Sequence, residues 1–280
     1  MNRKNKYGVT PAGLLKMVIM LAMIAVVLFP LIWLAAGSLK VEKEIIGYPP
    51  SLLGTKYTLK SFQRIFKTIP MAIYIKNTVI FAGGATFLSV IFDSMTGYAF
   101  ARLEFKGKNL LFMLVLMTMM VPFQVMMIPL FLESNFLGLL DTYTGLILPK
   151  ATSAFGIFMM RSYFAALPRD LEEAARVDGM SEFGIFTKIM FPLVLPGVLT
   201  LTIFHLMQNW NDLLYPLMMT SSTRMRTLSA GLALFVGEHA TTYYGPQLAG
   251  ALLSILPLLI IYIFFQKYFI ASVATSGLKD

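Results

Sequence analysis

The chain has 280 residues, of which 57% are hydrophobic and only 13% are charged. Soluble domains carry about 25% charged residues, so a water-soluble protein of this composition would have too few charges to cover its surface. The composition therefore excludes an ordinary soluble domain and predicts an all-α fold, a polytopic bundle of membrane helices. No cysteine is present, which excludes disulfides, thiol nucleophiles and cysteine-ligated metals.

Metal, cofactor and nucleic-acid chemistry find no support in the sequence. The two histidines, His205 and His239, are too few for a histidine metal cluster, so no metal site and no cofactor are predicted. A net charge of +9 is typical of basic cytoplasmic loops in a membrane protein, and no nucleic-acid partner is predicted. No complete phosphate-binding loop occurs: Gly179 and Gly184 have its glycine spacing, but Ile185 follows them in place of the lysine. We therefore expect a non-catalytic chain with no catalytic residues, and any ATP hydrolysis on another subunit.

Six transmembrane helices are predicted along the chain. They are expected at 17–39, 77–101, 109–132, 142–166, 191–216 and 245–267. Five of them contain a long run with no charge, or with Asp93 alone, and such runs cross about 30 Å of hydrocarbon at 1.5 Å per residue. The remaining stretch carries Lys150 and Arg161 near its ends, where both side chains can snorkel to the interface. Asp93 is interpreted as a structural or pore-lining group, because proton coupling would need several intramembrane ionisable groups.

The distribution of Lys and Arg predicts the orientation. With residues 1–16 as a cytoplasmic N-terminus, thirteen of the 23 basic residues fall in inner segments and ten in outer segments. Seven of those ten lie in the loop between the first two spans, and without that loop the division is thirteen to three. We expect both termini in the cytoplasm, and residues 17–280 to form the transmembrane domain of a multi-pass cell-membrane protein.

The loop of about 37–76 contains an amphipathic segment. Basic residues alternate there with apolar residues at helical spacing, which are Leu59, Phe62, Ile65, Phe66 and Ile69. The pattern predicts a short helix. It lies either on the membrane surface or against the neighbouring spans.

The cytoplasmic loop 167–190 has the signals of a helical hairpin. Pro168 suits a first helical turn, and three acids favour the positive end of a helix dipole, namely Asp170, Glu172 and Glu173. Gly179 can adopt the left-handed conformation that ends a helix. Ser181 is then an N-cap for a second short helix that runs to Ile189, before Pro192 and Pro196 restart the chain into the fifth span.

The hairpin has two open interpretations. Ala174 and Ala175 form a small-residue patch that lets another backbone approach closely, next to a modest apolar face of Leu171, Val177 and Met180. Such a knob suits docking into a cleft of a partner protein. The alternative is a charged amphipathic loop that lies on its own bundle.

The loop contains a spaced motif, and further motifs accompany it. Glu173-Ala174-Ala175 is followed by Gly179, Ile189 and Pro192. This pattern resembles the Glu-Ala-Ala signature of the integral membrane permease subunit of ABC importers, with Phe191 in place of the usual leucine. Four further stretches are similar to the carbohydrate branch of that family, in particular its MalG-like subunit; they are 97–107, Thr118–Pro122, Trp210–Asp212 and Ser276–Lys279.

The resemblance implies a type I ABC importer permease fold and a role in sugar uptake. In that family the loop docks into a cytoplasmic ATPase, so Glu173, Ala174, Ala175, Gly179, Ile189 and Pro192 would form the ATPase-coupling loop. The implied partners are a second permease, expected to be a different homologue, two cytoplasmic ABC ATPases, an extracytoplasmic solute-binding protein, membrane lipid and a sugar, most naturally an oligosaccharide. The alternatives are a polyol or glycerol phosphate as substrate, or a secondary transporter that works alone.

The fifth span carries a polar stripe. His205, Gln208, Asn209 and Asp212 share one helix face at spacing i, i+3, i+4, i+7, and Trp210 lies nearby on another face. Amides and aromatic rings are suited to binding hydroxyl-rich sugars, so these five residues are a candidate substrate path. Hydrogen bonds between helices explain the same residues equally well.

Overall fold

A computed structural model describes the backbone of residues 11–239 and 244–276. Within these ranges the chain is helical with one isolated bridge, Lys40 to Tyr57, and no strand, which confirms the all-α prediction. The helices are α1 (Pro11–Leu39), α2 (Glu42–Ile45), α3 (Lys60–Thr68), α4 (Met71–Arg102), α5 (Lys108–Thr118), α6 (Phe123–Phe136), α7 (Tyr143–Ile147), α8 (Ala154–Ala165), α9 (Asp170–Val177), α10 (Glu182–Ile185), α11 (Phe191–Leu193), α12 (Leu195–Asn211), α13 (Leu214–Met219), α14 (Leu228–His239) and α15 (Tyr244–Ser276).

Three of the described helices are long and apolar enough to cross a membrane, within α1, α4 and α15. Two further pairs have the composition of a span but are sharply bent. Helix α5 meets α6 at 100°, and the segment 182–193 meets α12 at 80°. The predicted span 109–132 is therefore two helices that change direction at Pro122, and the fifth span begins at a bend before Leu195.

The predicted span 142–166 is also interrupted. Helix α7 passes into a short 3₁₀ turn, Leu148–Lys150, and α8 starts only at Ala154. Ser153 ends the interruption as the N-cap of α8, because its hydroxyl accepts a hydrogen bond from Gly156 N at 2.9 Å. Its own backbone N–H donates to the Asp93 carboxylate at 2.9 Å, so a tertiary contact takes the place of the helical bond at this position.

The chain divides into two compact units. The first comprises Met1–Thr68 with Phe235–Ile255. Helix α3 confirms the predicted amphipathic helix; it contacts α1 and buries Ile65 completely, in agreement with packing on a neighbouring span. In the same unit Glu42 accepts hydrogen bonds from the N–H groups of Tyr244 and Gly245 at 2.6 and 3.1 Å, which caps the start of α15.

The second unit comprises Ile69–Leu234 with Leu256–Asp280. Helix α4 is its central element and packs on α8 and α12. The approach to α8 is close at Gly97, where a Cβ would lie 2.7 Å from Met160 Cβ and 2.8 Å from Arg161 N. One buried cluster joins α4 and α8 to the hairpin, and it includes Tyr98, Phe164, Ala175, Ile185 and Met190.

Candidate functional site

The segment 167–190 folds as the predicted hairpin. Gly179 has a φ of +78°, the left-handed conformation expected at the end of α9. Ser181 caps α10 by accepting a hydrogen bond from Gly184 N at 3.2 Å. Both local predictions are confirmed. Pro168 lies outside the first turn of α9, because that helix begins at Asp170 with Arg169 as its N-cap.

The second arm of the hairpin is longer than predicted. After α10 the chain makes a π-helical turn, Phe186–Met190, and continues through α11 before it bends into α12. Ile189, in this turn, packs against the buried cluster. Pro192 is exposed in α11, where proline is accommodated in the first helical turn.

The signature residues on α9 face in different directions. Glu173 and Ala174 are exposed, whereas Ala175 is buried among Tyr98 and Phe164 of its own unit. The small-residue patch available to another protein is therefore Ala174, while Ala175 lets α9 approach the rest of the bundle. The exposed Val177 at the end of α9 adds an apolar side chain to this outer face.

A buried ion pair connects the hairpin to α4. Arg102, the last residue of α4, places its Nε 3.4 Å from Oε1 of Glu172 on α9, and both side chains are almost fully buried. The same guanidinium donates hydrogen bonds to the carbonyl oxygens of Phe164, at 3.0 Å from Nε, and Leu167. Arg102 thus holds together the end of α4, the end of α8 and the start of the hairpin.

A second set of charged contacts links the two arms of the hairpin. Arg176 on α9 donates two hydrogen bonds to the Glu182 carboxylate, at 2.6 and 3.2 Å, and lies 3.9 Å from Glu172. Tyr98 on α4 donates its hydroxyl to Glu182 at 3.3 Å. These contacts connect the two arms to each other and to the end of α4.

The electrostatics differ between the two glutamates. Burial raises the pKa of Glu172, against the opposing attraction of Arg102 and Arg176. The side-chain hydrogen bond from Arg176 lowers the pKa of Glu182, against a smaller effect of burial. The Glu172 carboxylate is therefore a desolvated charge that Arg102 and Arg176 stabilise. Glu182 is an exposed partner whose ion pair contributes little to stability by itself.

Sequence reasoning did not identify Arg102, Arg176 or Glu182 as parts of this site. Arg102 lies in the stretch 97–107, whose resemblance was noted without a role for the arginine. The available signal was an arginine at the end of a long apolar helix, together with charged residues in the hairpin.

A polar cluster surrounds Asp93 inside the bundle. Its fully buried carboxylate accepts hydrogen bonds from Thr152 Oγ1 at 2.7 Å and from Ser153 N and Oγ at 2.9 and 3.1 Å. His205 Nε2 on α12 lies 3.0 Å from the same carboxylate. Close packing completes the cluster, since a Cβ on Gly156 would lie 1.8 Å from Asp93 Oδ2. Asp93 thus joins α4, α8 and α12.

The stripe on α12 is largely engaged in internal contacts. His205 is buried against Asp93, and Asn209 donates to Thr86 Oγ1 at 3.4 Å. Asp212, just after α12, forms an ion pair with Lys150 at 2.7 Å. Gln208 is the exposed member of the stripe. Trp210 is buried on another face, where its carbonyl oxygen accepts a hydrogen bond from Ser229 at 3.2 Å.

Comparison with known proteins identifies the family. The family model described as "Binding-protein-dependent transport system inner membrane component" matches residues 93–274, which is more than half of the chain. The chain belongs to this family. As a member of it, the chain is the permease component of an ABC importer and a multi-pass protein of the cell membrane.

Individual relatives agree with this assignment. The permease is 40% identical over 255 residues to the arabinooligosaccharides transport system permease protein AraQ of Bacillus subtilis (strain 168), covering 90% of each chain. It is 33% identical over 261 residues to the trehalose/maltose transport system permease protein MalG of Thermococcus litoralis, covering 92% of this chain and 93% of that one.

A solved structure shows the same fold. It is a chain of a bacterial ABC transporter involved in the import of the acidic polysaccharide alginate. The similarity has a TM-score of 0.81 at 25% identity and covers 96% of this permease and all of that chain. The predicted ABC importer permease fold is thereby confirmed.

Proposed function

We propose that this permease forms half of the pathway for an oligosaccharide and is driven by two cytoplasmic ATPase subunits. The relatives named for arabinooligosaccharides and for trehalose and maltose support the substrate class. A second permease completes the pathway, and an extracytoplasmic binding protein delivers the sugar. A solved alginate transporter in complex with a pentasaccharide-bound periplasmic protein, 17% identical and with a TM-score of 0.65, has the same fold.

The observation that carries the proposal is the buried connection between the hairpin and the spans. Glu173, Ala174 and Gly179 face outward, where an ATPase can bind them, while Ala175 and Ile189 attach the hairpin to the bundle. A displacement of the hairpin is then passed to α4 and α8 through the Arg102–Glu172 pair and the buried cluster. Asp93 lies on α4, and its partners Thr152 and Ser153 directly precede α8, so the displacement reaches the interior of the bundle.

The same arrangement gives the proposed topology. The hairpin, loop 167–190, lies in the cytoplasm, together with residues 1–16 and the C-terminus. The basic residues at the ends of α4 and α8 then face the cytoplasm, in agreement with the positive-inside rule. The transmembrane domain extends over 17–280.

The substrate path is proposed along α12. Gln208, the exposed member of the stripe, is assigned the direct contact with sugar hydroxyls. His205, Asn209 and Trp210 are buried and position the helix, and Asp212 does so through Lys150.

Reconstitution tests the function. The permease is assembled in proteoliposomes with its partner permease, the ATPases and the binding protein, and uptake of labelled arabino- and malto-oligosaccharides is measured. We expect uptake that requires ATP and the binding protein. Uptake by the isolated permease under an ion gradient would contradict the ATP-driven mechanism, and uptake of glycerol phosphate or a polyol alone would contradict the substrate class.

Gly179→Val is expected to uncouple ATP hydrolysis from transport. At a φ of +78° a β-branched residue is strained by about 1–2 kcal/mol, so the turn between the arms must change conformation. Apart from Gly179 and its two chain neighbours, no atom of the described residues lies within 4 Å of the added Cβ, so the effect comes from the backbone and not from a clash. We expect uptake to fall about ten-fold while ATPase activity and membrane insertion persist.

The matched control for this variant is Gly138→Val. Gly138 also has a positive φ, +66°, and open space around its Cβ, but it lies after α6 and outside the hairpin. Normal transport by the Gly179 variant, or an equal loss in both variants, would show that the turn has no special role in coupling.

A further inference from the structure

A basic cleft lies beside the hairpin and shares Arg169 with it. It has a volume of about 500 Å³ and opens where α4 ends, α5 begins and α8 ends. Its lining carries three cations, Lys108, Arg161 and Arg169, against one acid, Glu104. Charged residues at the ends of apolar helices mark the membrane boundary, so the cleft lies at the level of lipid headgroups.

Neither arginine of the cleft is paired with a carboxylate in the described part of the chain. Arg161 donates from Nε to Phe100 O at 3.3 Å and stacks over the Phe112 ring, 4.2 Å from its centroid. Arg169 is exposed, and among the described residues neither arginine forms an ion pair. Lys108 is partly neutralised, since it lies 3.6 Å from Glu104. The cleft therefore presents two guanidinium groups to an anion, and guanidinium binds phosphate through paired hydrogen bonds.

The surface next to the cleft is apolar. Leu110 lines the cleft at the start of α5, and Leu111 and Leu114 continue an exposed face along that helix. Phe105 adds an exposed apolar ring at the rim. A ligand that fits both surfaces has an anionic head and hydrocarbon tails.

We propose that this cleft binds the headgroup phosphate of an anionic phospholipid, with the acyl chains along α5. The proposal depends on the membrane location of the chain and not on its substrate or on its ATPase partners. An acidic surface of a partner protein would match the charge of the cleft but not the adjoining leucines, so the lipid is favoured.

The test is native mass spectrometry of the complete importer, released from nanodiscs that contain equal amounts of phosphatidylglycerol and phosphatidylcholine. We expect the wild type to retain phosphatidylglycerol selectively. Arg169→Gln should weaken this retention about five-fold, and Arg161→Gln combined with Arg169→Gln about 25-fold, because each basic group contributes similarly at an anionic lipid surface. Lys106→Gln is the matched control, since Lys106 is exposed in the turn between α4 and α5 but does not line the cleft.

Three results would overturn the proposal. The first is unchanged phosphatidylglycerol retention in Arg169→Gln. Because the Arg169 side chain is exposed, this single variant should assemble, and its result counts even if the double variant does not assemble. Displacement of the lipid by excess inorganic phosphate would assign the cleft to a soluble anion. Loss of the ATPase subunits from Arg169→Gln with lipid retention intact would assign it to protein docking. Retention is measured without transport, so the proposed function can fail while this inference holds.

Discussion

Arg102→Met is expected to destabilise the permease by about 3–5 kcal/mol and to abolish most sugar uptake. The substitution leaves the buried carboxylate of Glu172 with Arg176 as its nearest cation, at 3.9 Å, and removes the donors to the Phe164 and Leu167 carbonyl groups. Breaking one side of a buried pair costs this much because the remaining charge stays desolvated. Single hydrogen bonds between transmembrane helices contribute only about 0.6 kcal/mol on average, so the charge dominates.

The loss of stability in Arg102→Met should depend on pH and should be smaller at low pH than at neutral pH. Burial raises the pKa of Glu172 above its ordinary value, and removal of Arg102 raises it further. A carboxyl with a raised pKa in the folded state stabilises that state at low pH, and this contribution is lost as the pH rises through the folded-state pKa. The difference in thermal unfolding between Arg102→Met and the wild type should therefore shrink as the pH falls from 7 toward about 5.

Two variants control this experiment. Lys106→Met removes a cation from the exposed turn after α4 and should change stability by less than about 0.5 kcal/mol. Adding Glu172→Gln to Arg102→Met removes the buried charge that is left with Arg176 alone, and it should restore part of the stability. If the double variant were less stable than Arg102→Met at neutral pH, the buried carboxylate would not be the cause.

Asp93→Ala is expected to cost about 2–4 kcal/mol and to impair transport strongly. The carboxylate accepts three hydrogen bonds from Thr152 and Ser153 and contacts His205, and hydrogen bonds to a charged group each contribute about 1.5–3 kcal/mol without being additive. Its loss leaves the Ser153 N–H without its partner at the interruption before α8. Thermal inactivation of the purified complex measures the effect.

Neighbouring substitutions separate the contacts of Asp93 from a general disturbance of α4. Ser94 is buried on the same helix, and within the described part of the chain its hydroxyl has no hydrogen-bond partner, so Ser94→Ala should be nearly neutral. Asp93→Asn keeps an acceptor for Ser153 N but loses the charge. Its loss of stability should lie between those of Ser94→Ala and Asp93→Ala. An equal effect of Ser94→Ala and Asp93→Ala would refute the role of the cluster.

Local structure in the hairpin was predictable because its signals lie within a few residues of each other. The left-handed turn at Gly179 and the cap at Ser181 follow from the chemistry of the residues themselves. The Arg102–Glu172 pair was not predictable in this way, because its members are far apart in sequence. An arginine at the end of α4 gives no indication of which later acid it meets.

Two other features could not be predicted for the same reason, the interruption before α8 and the contacts of the polar stripe on α12. Hydrophobicity predicted one span over 142–166, but the helix is interrupted around Pro149 and restarts at Ala154 after Ser153, whose backbone N–H donates to Asp93. Helical periodicity correctly placed His205 and Asn209 on one face, but it could not show that Asp93 and Thr86 would occupy their polar atoms. Gln208 differs from them only in what the folded bundle leaves uncovered.

The sharp turn between α5 and α6 has a consequence for the bilayer around it. At 1.5 Å per residue, the 11 residues of α5 rise only about 16 Å, roughly half the hydrocarbon thickness. The helix ends at this elbow leave peptide groups that acyl chains cannot solvate. Met120, at the corner, is 81% exposed. We therefore expect water or the surface of a neighbouring subunit, and not acyl chains, to contact the chain at this point.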